Sequence, residues 1–439
     1  MSTLIKINLL GNCHLTWYLA LRLRTALSFS THQIEVSPQN IDDNNIPPAF
    51  TLRPEMLRVL EEIDLTEQEL FATCDANFLL GVQYRYSRNN ISDFTNCFSK
   101  TGISANGTAF HHYWAKLKHA NLAKPYWMYS LGAALSEKCK FYHPSDNPRS
   151  INSTFSYGYT VNALKFRNVL KKLCLSNGVT IKPNEATLDM PTWEINCSQS
   201  IPATGVNYQA TSIQRTKTKP IATLTLNPDT IKNTAYTTCH EFVETHPLLP
   251  RDTNKSTPAV WTGKTIDLGG VLKKYSGFQS TNFTVIETAC ETFLSTLHSP
   301  LDKNDSLIRA FNNVVSDTIE NTDLFLELHL LENQPPSQVP WEKKASPKLQ
   351  RKIEQFRRRG RVVMYDNETY SDDDWITSML SLGIIPETSS IGAQAAPTNA
   401  LNAFYSKHYD RIQKQATAAP TLNEYLDHLL ENSKAEQIT

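Results

Sequence analysis

The opening of the chain constrains the fold most. Residues 5–10 read as a short buried strand closed by Gly11, and Leu15, Leu19, Leu23 and Ala26 follow at helical spacing. Residues 34–36 read as a second short strand. A buried strand, a tight turn, a helix and a second strand are how a parallel α/β sheet begins. The pattern predicts helices over 53–60 and 67–71, the latter opened by Thr66 as N-cap, and β structure over 77–86. Residues 94–109 read as polar and turn-rich. Helices are expected at 110–119, 131–139 and 161–175, the last ending at Asn177-Gly178. Residues 179–260 carry strands and long loops. An apolar helix covers 283–297, and two more lie within 306–331, separated at Asn321. A Pro-rich loop, a basic helix over 347–359, a helix over 372–382 with an acidic first turn, a linker over 386–400 and two polar helices complete the chain.

Composition narrows the function classes. Lys plus Arg number 43 and Asp plus Glu 43, so the chain lacks the cationic excess of a nucleic-acid or anionic-membrane surface. With 439 residues it can bury a large core without disulfides or a structural metal. The eight cysteines stand at least 23 residues apart, which excludes CxxC chemistry and fits reduced thiols in a cytoplasmic protein. No export signal or membrane span is visible at the N-terminus or beyond. Glycine is scarce, 15 of 439 residues, about half the usual ~7%. Glycine lets backbone approach a phosphate or a flat ring closely, so the scarcity argues against several Gly-rich cofactor loops.

No metal site is expected. His111 and His112 are adjacent and point ~100° apart on a helix. His240-Glu241 is followed by His246, too far along for the two histidines of HExxH to share a face. Asp372-Asp373-Asp374 compensates a helix dipole. The basic run from Lys348 to Arg361 reads either as a solvated helix face or as a docking surface for an acidic partner.

In order, these segments resemble the flavin-dependent tryptophan halogenases from residue 5 to about 430. The residues that carry the likeness are Ala76-Asn77-Phe78-Leu79-Leu80-Gly81, Phe110-His111-His112-Tyr113-Trp114 before Tyr129-Ser130-Leu131, and Tyr157-Gly158-Tyr159. Gln279-Ser280-Thr281 before an apolar helix, then Trp341, the helix from Pro347 and Trp375 before Gly383, complete it. The resemblance implies an α/β fold: an FAD/NAD(P)-binding, Rossmann-like three-layer body interleaved with a mixed α+β substrate region, plus a helical C-terminal part. The expected domains are 1–300, a degenerate FAD-binding box with substrate segments at about 75–150, and 301–439, the helical region. It also implies FAD as cofactor, no metal, a flavin reductase or a related halogenase as partner, and an aromatic small molecule as ligand. In the family, reduced FAD takes up oxygen, the flavin peroxide oxidises halide to hypohalous acid, and a lysine beside the indole receives it.

Each local requirement of that chemistry is altered. In the GxGxxG turn, which serves a dinucleotide pyrophosphate, Gly11 and Trp17 fit, but Cys13 and Thr16 replace the second and third glycines. The Cys13 Cβ is expected to point toward the pyrophosphate. Val36, next to Glu35, stands where an acidic ribose partner belongs. Leu79 stands at the lysine position and Gln279 at the glutamate position, so no catalytic residue is assigned. The WxWxIP motif has no counterpart in Gly205–Thr211. Gly269 belongs to the second flavin loop, where Lys273 replaces a glycine, and Ser280 and Thr281 could hold an anion at a helix start. Two functions remain open: a pseudoenzyme that binds a partner or ligand, or an active FAD-dependent halogenase or monooxygenase acting on tryptophan or another aromatic through altered loops.

Overall fold

A computed structural model describes residues 6–39, 49–86, 92–182, 192–198, 209–210, 220, 222–227, 232–237, 240–247, 260–269, 281–297, 305–332 and 344–436. In chain order the elements are β1 (Lys6–Leu10), α1 (His14–Ala26), β2 (Gln33–Ser37), β3 (Ala49–Leu52), α2 (Met56–Glu62), α3 (Glu67–Thr73), β4 (Asn77–Leu79), β5 (Gly81–Tyr86), β6 (Phe94–Cys97), α4 (Phe110–His119) and α5 (Leu131–Glu137). There follow β7 (Gly158–Asn162), α6 (Ala163–Ser176), β8 (Thr180–Ile181), β9 (Thr192–Asn196), β10 (Gln209–Ala210), β11 (Ala222–Asn227), β12 (Lys232–Thr237), β13 (His240–Pro247), β14 (Trp261–Thr262) and β15 (Thr265–Asp267). The helices α7 (Asn282–Thr296), α8 (Asp305–Glu332), α9 (Pro347–Arg359), α10 (Asp372–Ser381), α11 (Ile391–Ala395), α12 (Thr398–Ala418) and α13 (Leu422–Glu436) close the chain.

Two compact units emerge. The first comprises Met1–Asn77, Thr160–Ala210 and Phe242–Thr322. Its sheet has the order β14-β15-β9-β1-β2-β8. All pairings from β15 to β8 are parallel, and β14 pairs antiparallel with β15. The strand–turn–helix read at the N-terminus is therefore its centre. Helix α1 is buried from His14 through Leu23, so it packs on all sides. Arg22 and Tyr18 on α1 converge on Glu287 of α7, at 2.9 and 2.5 Å, and Arg22 also meets Glu62 of α2 at 2.9 Å. A buried carboxylate held this way keeps α1, α2 and α7 in register.

The second unit comprises Phe78–Tyr159, Thr211–Glu241 and Asp323–Thr439. Here β5 pairs parallel with β11 and antiparallel with β6, and β11 pairs antiparallel with β12. Gly81 makes the β5–β6 approach possible: a Cβ there would lie 2.4 Å from the Asn96 carbonyl oxygen. Helix α9 begins with Ser346 as N-cap and Pro347 in its first turn, and ends at Gly360 with φ 62°.

Three expectations are corrected. Asp305–Glu332 is one helix, because Asn321 is fully buried and tertiary packing overrides its low propensity. Within 94–109, Phe94–Cys97 is a buried strand stabilised by β5. The linker at 386–400 contains α11, capped by Ser390, and the start of α12.

Candidate functional site

Gly11 leaves β1 with φ +140°, and a Cβ on it would lie 2.6 Å from Thr16 Oγ1 and 2.9 Å from the Cys197 carbonyl oxygen. Gly269, just past β15, would place a Cβ 2.6 Å from the Ser198 carbonyl oxygen. Both sequence-derived cofactor glycines therefore gather at the carboxyl edge of the parallel sheet, around the end of β9. That edge is where open α/β sheets bind ligands.

The side chains between them are not those of a glycine cradle. Cys13 is the N-cap of α1, 1% exposed, with its thiol 3.2 Å from Thr16 Oγ1 and 3.9 Å from the Cys197 carbonyl oxygen. The thiol thus turns inward. It fills the junction of α1 and β9. Burial raises its pKa, partly offset by the Thr16 hydroxyl and the N–H groups of Thr16 and Leu15. Those first-turn N–H groups are the ones a helix N-terminus offers to a phosphate, and here they lie beside a sulfur.

His14 follows, 3% exposed, stacked on Phe50 at 4.4 Å and Phe283 at 5.7 Å. Among the described residues its Nδ1 has no hydrogen-bond partner. Burial, with a smaller contribution from Arg167, lowers its pKa to about 3, so the ring is neutral and acts as an aromatic core residue. Trp17 is fully buried and donates from Nε1 to Asn12 Oδ1 at 3.0 Å, locking the turn.

The end of β2 carries no carboxylate. Val36 is fully buried, and the Ser37 hydroxyl donates to Asn8 Oδ1 at 2.9 Å. Glu35 is tied to Lys6 at 2.8 Å. Thr281 is fully buried at the head of α7. Lys273, Gln279 and Ser280 lie outside the described residues, as do Gly205–Tyr208 and Trp341.

In the second unit, Leu79 is 1% exposed in β4, between Phe78 and Leu80, both fully buried. Phe78 stacks on Phe141 with centroids 3.8 Å apart, and His143, Tyr157, Tyr159 and Tyr425 surround that pair. The Leu80 N–H donates to the Pro220 carbonyl at 2.8 Å, and its carbonyl accepts from Phe98 N–H at 2.9 Å. Leu79 is a core residue of a stitched β segment.

The basic helix α9 divides. Arg351, Arg358, Arg359 and Arg361 are exposed, whereas Lys352 is fully buried, ion-paired to Glu368, with its ammonium 4.0 Å from the Trp375 ring centroid. Lys352 lies on the face of Leu349, Ile353 and Phe356, a spacing visible in the sequence. His111 Nε2 bonds the Gly360 carbonyl at 2.7 Å, so it secures the end of α9. Among the described residues no group of three or more His, Cys, Asp or Glu could hold a metal ion, and no helix is long and apolar enough to cross a membrane.

The parallel sheet with turn glycines at its carboxyl edge defines a Rossmann-like α/β protein. Solved structures with this fold include BrvH, a flavin-dependent halogenase from Brevundimonas sp. BAL3 (TM-score 0.80, 20% identity, covering 97% of this chain and 99% of that one). Xcc4156, a flavin-dependent halogenase from Xanthomonas campestris, matches with TM-score 0.78 and 18% identity over 97% and 98% of the two chains. The tryptophan 6-halogenase SttH from Streptomyces toxytricini matches with TM-score 0.73 and 15% identity over 96% and 99%. No curated protein sequence matches. The family model for tryptophan halogenase matches residues 6–189 and 192–398, and the chain belongs to that family.

Proposed function

We propose that this chain is a halogenase-fold protein without the halogenating reaction, acting as a partner or small-molecule-binding protein. One observation supports the reading: Leu79, which the resemblance sets at the family's lysine position, is a buried core side chain. An isobutyl group has no lone pair to accept oxidised halogen and no N–H to orient hypohalous acid. The turn at Gly11 agrees. Residues at its second and third glycine positions pack on each other, and Ser37 and Val36 offer no carboxylate to a ribose. These residues do not fit a dinucleotide held in the family's manner, so no step is assigned to FAD here.

The ligand is taken to be an aromatic small molecule, which the half-buried rings of His143, Tyr157 and Tyr425 beside the Phe78–Phe141 stack would suit. A flavin reductase or an active halogenase is the partner expected from the family.

The reading is tested by incubating the purified full chain with FAD, a flavin reductase, NADH, oxygen, bromide or chloride, and tryptophan or indole. The expected result is no halogenated product and no more oxygen uptake than the reductase alone supports. A halogenated product that requires the folded chain would overturn the reading in favour of an active enzyme with altered loops.

A further inference from the structure

The two charge signs are segregated along this chain. Residues 344–361 carry eight cations and one carboxylate, Glu354, whereas residues 58–69 carry five carboxylates and one cation, Arg58. Over the whole chain the totals cancel, 43 against 43. The basic run belongs to the second unit and the acidic run to the first.

On α9, Leu349, Lys352, Ile353 and Phe356 form the buried face. Of the eight cations only Lys352 is buried, and Glu368 answers it. Arg351 and Arg358 stand on the opposite, exposed side, two turns or ~10 Å apart along the axis. Lys344 before the helix and Arg359 and Arg361 at its end extend the exposed stripe. Arg358 pairs with Glu354 at 2.6 Å, but among the described residues Lys344, Arg351, Arg359 and Arg361 make no ion pair. The arginines of the last turn suit the helix dipole. Lys348 in the first turn opposes it, and no acidic residue stands there to compensate. Helix stability therefore does not account for the whole stripe.

The acidic run forms the corner between α2 and α3, and its backbone is fixed. Asp64 N–H donates to the Glu61 carbonyl at 3.1 Å and Leu65 N–H to the Leu60 carbonyl at 2.9 Å, before the Thr66–Glu69 capping box opens α3. Glu61 and Glu62 end α2, where the dipole favours cations, and that turn holds no basic residue. Glu62 is answered by Arg22 at 2.9 Å and Arg58 at 3.5 Å. Glu61 and Asp64 are exposed and make no ion pair among the described residues. Each surface thus crowds like charges against a helix end, and each presents the charge the other lacks.

We propose that the basic stripe of α9 on one copy of the chain docks, head to tail, on the α2–α3 corner of a second copy. Such a contact pairs two different patches, so one copy can engage two neighbours. A nucleic acid or other polyanion would answer the stripe alone and be repelled by the corner, whereas a second copy answers both. Exposed ion pairs are each worth little, ~0–1 kcal/mol, so the contact is weak and sensitive to salt.

The test is sedimentation velocity of the full chain over a concentration series at ~20 mM and ~500 mM sodium chloride, between which the screening length falls from roughly 20 Å to roughly 4 Å. The parent is expected to self-associate at low salt, with an association constant at least about tenfold smaller at high salt. Arg351→Glu/Arg359→Glu breaks no ion pair within the chain, and Glu61→Lys/Asp64→Asn keeps a side chain that tolerates the φ of 56° at position 64. Each double variant, shown to be folded by circular dichroism, should lose self-association at least about tenfold. An equimolar mixture of the two should form a one-to-one complex, because one stripe and one corner remain intact. A parent that does not associate at low salt, or associates equally at both salt concentrations, would overturn the proposal. So would variants that associate like the parent, or a mixture that stays unassociated. A chain that stays single yet binds a polyglutamate peptide or a single-stranded DNA oligonucleotide would assign the stripe to another partner and overturn it as well.

Discussion

The thiol of Cys13 and the hydroxyl of Thr16 lie 3.2 Å apart, at the two positions that the sequence resemblance assigns to glycines of a dinucleotide-binding turn. Both side chains are buried, at 1% and 0% exposure, so they form packed core between α1 and β9. Replacing both by glycine should therefore destabilise the fold. Two interior contacts are lost, and a glycine within the first turn of α1 costs up to ~1 kcal/mol against alanine. The Cys13→Gly/Thr16→Gly variant is expected to lose about 1–3 kcal/mol in urea unfolding. Unchanged stability would mean the pair contributes no packing.

Leu79 gives a second, sharper prediction. Leu79→Ala should cost about 2–5 kcal/mol, and Leu79→Met less than about 1.5 kcal/mol. Leu79→Lys would bury an unpaired ammonium and should cost more than the alanine variant. Urea melts of the three variants check the order Met, Ala, Lys. A Leu79→Lys protein as stable as the parent would place this side chain in solvent and remove the core reading.

His14 makes the first unit acid-sensitive. Its folded pKa, about 3, lies below the ordinary histidine value of 6.5, so the unfolded chain takes up the proton first as pH falls. Its contribution is fully present above about pH 6.5 and is lost progressively toward pH 3, with a slope of ~1.4 kcal/mol per pH unit. His111, lowered to about 4 chiefly by burial, and His329, lowered to about 3 by burial, act with the same sign. His14→Phe keeps the ring stack with Phe50 and removes the titratable ring nitrogens. Unfolding free energy between pH 6 and 4 should fall less steeply in that variant, by about one proton's worth of slope. Parallel pH profiles would contradict the assignment.

The Lys352–Glu368 pair should show strong coupling. Their side chains are 0% and 6% exposed, and Trp375 Nε1 also donates to Glu368 Oε2, at 3.2 Å. Glu368→Gln leaves a buried ammonium against the indole with no counter-charge and should cost about 3–5 kcal/mol. Removing both charges with Lys352→Met/Glu368→Leu should recover much of that loss. A double-mutant cycle in urea gives the coupling directly. Additive effects would show that the pair is solvent-screened.

Local signals were legible where they are self-contained. Thr66 caps its helix and completes a capping box with Glu69; Pro347 and Gly360 bound α9; Gly178 with φ +86° follows α6. Where tertiary contacts decide, the sequence misleads or is silent. Asn321 reads as a break yet sits fully buried in one long helix, and Phe94–Cys97 becomes a strand only because β5 lies beside it. The same holds for the candidate site. Leu79 and the altered turn were visible as residue identities, but the inward rotation of the Cys13 thiol depends on where β9 ends. The Lys6–Glu35 pair depends on the register of β1 against β2, in which Lys6 faces Gln33 and Asn8 faces Glu35.

The most direct test of the central claim is a titration of the purified full chain with oxidised FAD, followed by flavin absorbance and calorimetry. The account predicts a colourless preparation that acquires no stoichiometric flavin and shows no saturating heat of binding. A yellow protein retaining one flavin per chain through gel filtration would contradict it.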